Sequence, residues 1–561
     1  MTDQPSRAEA PAPPGDRVGK SATLIGAITI GSRLAGFARM LVLGWGVGLA
    51  GMTAAYQNSN TIPNMIFELV AGGALAALVV PLLAAPIARR DRDEVSRLAS
   101  TLLTWAVVVL VPLAVLVVVF ARPLVVLVAS DKMAPEVLDA ATEMLAFFAP
   151  QLPLYGIAVV LTGVLQAHRR FAWPALAPLL SSLTMMAVYY AYGVVTDHAD
   201  QPGEAGQVGI VLLGLGTTFG VLVLAGCLFF PLRGLHLRLR PSLRFDDHVT
   251  GAVKSLAIAG AITLGAQQVC QLVLMHLANR ADEAGKGVVV VFTFSQTFFL
   301  LPWAVLAVPL ATAAYPALSE SAALGDRGRF ATTTAKTTRS IVLLSGLGVA
   351  ALAGLAQPIS VVLTQIAAGD ADDLAETAKA FTATLTGFSF GLVGYSLFAI
   401  LSRALYAVGH PIRSSAATAV GWAAAIAAGL ALSGAMPLED RPLALSLGWS
   451  IGMTVMGVAL LAVLVRACGR ATLRKLPRAL LSAGAATILS ILAARYLLDL
   501  WGEPARATEA LLKGFTGGLV ILVVYGLVAA ACDARDLRAV LRRRKNSTTS
   551  TAETTDRKER R

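Results

Sequence analysis

Residues 21–50 read SATLIGAITIGSRLAGFARMLVLGWGVGLA. Wound as a helix rising about 1.5 Å per residue, this stretch is long enough to cross a hydrocarbon core of roughly 30 Å. Its only charges are Arg33 and Arg39. A guanidinium at such depth costs about 3 kcal/mol or more unless it meets water, protein or an anion. Two of them in one span predict a polar cavity that receives negative charge. Gly36 between them leaves room for a neighbouring helix or a head group.

Further apolar runs extend from here to residue 532. Length and hydropathy place about fourteen helices near 22–49, 62–88, 99–120, 138–166, 172–196, 207–231, 249–277, 287–315, 337–365, 379–407, 412–434, 443–467, 476–500 and 508–532. With 56% hydrophobic and 14% charged residues, and a mean hydropathy of +0.69, the 561-residue chain has the composition of an all-α polytopic membrane protein. The net charge of +12 is spread over short connectors and the C-terminal tail, so it predicts no nucleic-acid partner. Alternate connectors hold about 21 lysines and arginines against about 7 in the others, including the acidic loop TDHADQPGEAG. That asymmetry predicts both termini in the cytoplasm.

The chain also resembles itself. Val80-Pro81-Leu82 closes the second span much as Val308-Pro309-Leu310 and Tyr315-Pro316-Ala317-Leu318 close the eighth, and LTGVLQA at 161–167 closes the fourth as LSRALYA at 401–407 closes the tenth. The offsets of about 235 to 240 residues predict two six-helix lobes of equal orientation, 21–245 and 246–470, followed by two further helices within 471–535. Parallel repeats place a substrate path between the lobes. Residues 1–20, Pro/Ala-rich and polar, form too long a leader for a cleaved signal and are expected as a disordered cytoplasmic tail. Residues 536–561 form a basic, Ser/Thr-rich cytoplasmic tail that suits contact with membrane lipids. Phosphorylation among Ser547 to Thr555 would instead make a docking site for a phosphothreonine-binding protein.

Polar residues inside the spans are the candidate binding groups. The second span opens YQNSNTIPNMIFELV, with Gln57, Asn58, Asn60, Asn64 and Glu68 among apolar neighbours. Asn64 and Glu68, four apart, fall on one helical face. Glu68 serves either as counter-ion to Arg33 or Arg39 or as a direct substrate contact. In the second lobe Gln267, Gln268 and Gln271, with Ser295, Gln296 and Thr297, suit sugar hydroxyls and peptide amides, and equally suit helix–helix hydrogen bonds. The sequence has no HExxH and no phosphate loop, and its six histidines do not cluster. Neither an enzyme nor a metal or other cofactor is expected, and the four cysteines read as small buried residues. Without an ATP site, directional work must draw on ion or voltage gradients or on consumption of the product.

These residues resemble the MurJ/MviN group of lipid II flippases in the multidrug/oligosaccharidyl-lipid/polysaccharide (MOP) exporter superfamily. The resemblance rests on SRLAGFAR at 32–39, IPN at 62–64 followed by AGGALAALVVPLLA at 71–84, and LPWAVLAVPLATAAYPALS at 301–319. It implies two lobes in a V around a cationic cavity, and two last helices forming a groove for a polyprenyl tail. It also implies that Arg33 and Arg39 bind a lipid-linked pyrophosphate, and that the chain resides in a bacterial plasma membrane. This chain departs from the family pattern at Phe67, Glu68 and Gly72 and near Gln296, where the family carries further charged residues, and at Met40. It looks like an actinobacterial-type variant with a less cationic cavity. The readings kept open are a lipid II flippase for cell-wall synthesis, an exporter of another polyprenyl-linked glycan or small molecule, and a transport-inactive envelope scaffold.

Overall fold

The computed structural model describes residues 15–49, 51–69, 79, 83, 86–87, 89–129, 133–168, 170–235, 237–243, 251–281, 287–366, 371–502 and 507–556. Of these, 15–27, 29–30, 33, 251–257, 259, 366, 371–374 and 532–556 are described in backbone only. No strand occurs among them. The first lobe comprises α1 (Gly15–Val47), α2 (Gly51–Phe67), α3 (Arg92–Val119), α4 (Ala121–Val128), α5 (Pro135–Phe148), α6 (Gln151–Ala167), α7 (Ala172–Val195), α8 (Pro202–Cys227) and α9 (Phe229–Arg233). The second comprises α10 (Gly251–Ala281), α11 (Val288–Pro302), α12 (Val308–Ala323), α13 (Arg327–Gly354), α14 (Ala356–Ile366), α15 (Ala371–Ser389), α16 (Leu392–Ala407), α17 (Pro411–Ala435) and α18 (Arg441–Cys468). Two last helices follow, α19 (Leu476–Leu500) and α20 (Ala507–Asp556).

Among the described residues, eleven helical stretches are long and apolar enough to cross a membrane, or twelve if the bent pair α5–α6 counts as one. Among the expected boundaries that move, three do so for a clear local reason. The second span begins at Gly51 instead of 62, because much of its polar opening is buried and several of its groups are bonded: the Ser59 hydroxyl donates to the Ala55 carbonyl at 2.8 Å. The run 138–166 breaks at Ala149-Pro150 with a bend of 42°, where the proline ring interrupts the helical ladder. The last helix continues through Asp556, into the basic, Ser/Thr-rich stretch 536–561 drawn beyond the last span. The side chains of Ser547 to Thr555 lie outside the described residues.

The same helix pairings occur twice. In the first lobe α1 packs on α7, α3 on α6, α2 on α5, and α8 on both α6 and α7; in the second α10 packs on α17, α13 on α16, α11 on α15, and α18 on both α16 and α17. Repetition of tertiary pairings is what a structural repeat requires, and it carries more weight than short sequence matches. The two last helices pack on each other and on α13 and α14 of the second lobe. There the Tyr525 hydroxyl donates to the Leu343 carbonyl at 2.6 Å and Thr487 to that of Gly346 at 3.0 Å. Their other faces expose Leu481, Leu492, Phe515 and Leu527, as lipid rather than water is the surrounding solvent.

Small residues set the helix spacing, because lipid offers no hydrophobic drive for association and close packing must supply it. Gly394 of α16 meets the backbone of Met453 and Thr454 of α18, and a Cβ there would overlap both. Gly394→Ala is therefore expected to cost about 1–3 kcal/mol by overpacking. This would lower the thermal unfolding midpoint in detergent. Gly484→Ala, whose Cβ would meet open space, should leave the midpoint unchanged or raise it.

Candidate functional site

The lobes touch through α1, α2 and α4 of the first and α10, α11 and α14 of the second. Along α1, Arg39 lies half-buried against α7, its Nη1 donating to the Met185 sulfur at 2.9 Å. A thioether is a weak acceptor. Tyr155 and Tyr189 lie within electrostatic reach, but no carboxylate pairs with Arg39 among the described residues. The guanidinium thus keeps donors that its described neighbours do not satisfy. Arg33 lies six residues earlier on the same helix, and its side chain is outside the described residues. A Cβ on Gly31 or Gly36 would meet nothing within 4 Å, so α1 borders open space beside the Arg33–Arg39 segment.

On α2, Asn64 and Glu68, expected on one helical face, have different partners. The Tyr155 hydroxyl of α6 approaches Asn64 Oδ1 at 3.5 Å, and its ring lies 4.3 Å from that of Phe67. Glu68 and Leu69 lie in a wider π turn at the end of α2. Glu68 instead reaches the second lobe: its Oε2 accepts from Gln268 Nε2 at 2.5 Å and from Gln267 Nε2 at 3.3 Å. The counter-ion role is thereby corrected with respect to Arg39, since the described partners of Glu68 are glutamine amides. Gln271 accepts from Gln296 Nε2 at 3.2 Å, a bond between α10 and α11 inside the second lobe. Of the expected residues, then, Arg39 and Asn64 line the first lobe, Glu68 with Gln267 bridges the two, and Gln271 with Gln296 joins helices of the second.

Sequence reasoning missed Asn279. Asn58 and Asn279 exchange two amide hydrogen bonds of 2.8 Å across the lobe interface, both side chains buried, and Asn279 also donates to the Val128 carbonyl at 3.1 Å. Asn279 escaped notice because the seventh span was drawn to end at 277, which left it in a connector. Its signal was available as an amide two residues beyond an apolar run. Beside this pair, Tyr56 and Tyr189 share a 2.7 Å hydroxyl bond, and Thr217 donates to Tyr56 at 3.2 Å. Phe37 meets Phe298 edge-on at 4.7 Å. Ten residues separate Asn58 from Glu68 and eleven separate Gln268 from Asn279. On helices these gaps match at about 15–16 Å, so α2 and α10 run antiparallel with a bridge at each level. This arrangement can hold an anion at the guanidinium and hydroxyl or amide groups at the glutamines. No group of three or more His, Cys, Asp or Glu side chains converges among the described residues to hold a metal.

The family model described as lipid II flippase MurJ matches residues 46–502. The lipid II flippase MurJ of Burkholderia cenocepacia is 28% identical over 390 residues, covering 68% of this chain and 72% of that protein. A probable lipid II flippase MurJ of Synechocystis is 26% identical over 400 residues, covering 69% and 71%. Among solved structures, a lipid II flippase MurJ in an inward closed conformation superposes with a TM-score of 0.70 at 17% identity, covering 91% of this chain and 99% of that one. An inward-facing multidrug resistance MATE transporter of the MOP superfamily gives 0.63 at 16%, covering 81% and 99%.

Proposed function

Because the chain belongs to the MurJ family of lipid II flippases, whose work is transport, we propose that it moves lipid II from the cytoplasmic to the outer leaflet by alternating access. It is a multi-pass membrane protein with the fold of MOP exporters. The observation that carries the reading is Arg39, a cation within the lobe lining whose described partner is a thioether. A pyrophosphate supplies the acceptors it lacks, and a planar guanidinium can take two phosphate oxygens at once. Arg33, one helix stretch away, adds a second charge. Gln267, Gln271 and Gln296 face the sugar and peptide, exchanging amide–amide bonds for bonds to substrate.

With both termini in the cytoplasm, the beginning of α2 and the end of α10 lie on the outer side. The Asn58–Asn279 pair then closes the outer gate, and this arrangement of the lobes is the one that accepts cargo from inside. Residues 21–245 and 246–470 act as the two moving bodies, and the last helices form an apolar groove for the polyprenyl tail. Depletion of the protein in a growing bacterium, followed by mass analysis of lipid-linked precursors, is expected to show accumulation of lipid II. Accumulation of a different polyprenyl-linked glycan would transfer the function to that cargo, and no accumulation would end the transport reading.

A further inference from the structure

Over 237–243 the connection between the lobes runs alongside α3. The backbone N–H groups of Arg238, Arg240 and Ser242 donate to the side-chain oxygens of Ser96, Ser100 and Thr104 at 3.1, 2.9 and 3.2 Å. Two residues of this strap match four of the helix, about 6 Å, so the strap is nearly fully extended. The Ser100 and Thr104 hydroxyls donate their own protons to the Ser96 and Ser100 carbonyls at 2.6 and 2.7 Å, which leaves their lone pairs for the strap. Trp105 completes the ladder, its indole N–H donating to the Leu243 carbonyl at 3.2 Å.

An extended chain sends alternate side chains to opposite faces. Leu237, Leu239, Pro241 and Leu243 share one face, and Arg238, Arg240 and Ser242 share the other. Leu239 is 40% exposed, Leu243 54% and Trp105 40%, and above them α3 presents exposed Val108, Val111 and Val115. Arg238 and Arg240 are exposed as well, and residues 228–245 contain no Asp or Glu. An apolar edge beside a purely cationic one, on the perimeter of a membrane helix and at its polar end, matches one kind of partner. We propose that the strap is a binding site for an anionic phospholipid of the cytoplasmic leaflet. Its phosphate sits between Arg238 and Arg240, and its upper acyl chains lie on Leu239, Leu243 and Trp105. Generic attraction of basic connectors to the membrane needs no ladder; here the serine and threonine rungs hold the arginines at a set height on α3.

The test uses the full chain in phosphatidylcholine nanodiscs with a minor fraction of phosphatidylglycerol, and native mass spectrometry to count the phosphatidylglycerol retained. A guanidinium bonded directly to a lipid phosphate contributes about tenfold or more in affinity through charge-assisted hydrogen bonds. Arg238→Gln/Arg240→Gln should therefore weaken retention by at least about tenfold. The charge-matched Arg413→Gln/Arg470→Gln, exposed on other connectors of the same side, should change it less than about twofold. Equal loss in both pairs would reduce the effect to net charge, and unchanged retention in the strap variant would remove the site; either result overturns the proposal. All four arginines are exposed, so a monodisperse product is expected from each variant. The readout does not depend on lipid II transport.

Discussion

Arg39→Gln is expected to reduce lipid II flipping in proteoliposomes by about ten- to a hundredfold, and to abolish complementation of a flippase-depleted strain. The magnitude follows from charge-assisted hydrogen bonds, worth about 1.5–3 kcal/mol each. Loss of one such contact to a pyrophosphate already reaches the lower figure. Arg39 holds no described ion pair, so its removal leaves no orphaned carboxylate and should not unfold the lobe. The neighbours that remain, Met185, Tyr155 and Tyr189, are uncharged. Flipping at the parental rate by a folded Arg39→Gln protein would remove the residue from the binding role. Arg39→Lys is expected to recover only part of the rate, because an ammonium provides charge without the planar fork.

Asn58→Leu should open the outer side. The pair is buried and reciprocal, so a single replacement leaves Asn279 with an amide facing apolar surface, at a cost of about 1–3 kcal/mol. That energy falls only on the state in which the lobes meet there. A shift of about five- to a hundredfold in the equilibrium between inward and outward arrangements is expected from it. Spin labels at Ala134 and Leu438, on the ends of the two lobes proposed to face outward, would report the change as a longer distance in pulsed electron resonance. Asn58→Leu/Asn279→Leu removes both polar groups and should bring the distance distribution back toward the parental one. If the single variant left the distribution unchanged, the pair would be packing without gating.

Much of the fold was legible in one dimension. Arg33 and Arg39 were visible as a cost in an apolar run, and that cost predicted a polar cavity before any contact was known. The internal offset of about 235 to 240 residues predicted a repeat, and the twice-used helix pairings have the form it requires. Less legible was the site. Hydropathy started the second span at 62 because it discounts polar residues such as Tyr56, Asn58 and Ser59, whereas burial makes them helix interior. Glu68 was matched to an arginine because opposite charges attract in any listing of residues. The approach of α10 gave it two amides instead.

By itself the amino-acid sequence determined that the chain is an all-helical polytopic membrane protein and which family it resembles. Hydropathy is a sum over neighbouring residues, so a window of some twenty of them suffices. Only the tertiary structure decided who answers each buried polar group. Arg39 meets Met185 across 146 positions, Glu68 meets Gln268 across 200, and Asn58 meets Asn279 across 221. A hydrogen bond depends on distances of a few ångström and on direction, and those are properties of two helices brought together rather than of either one alone.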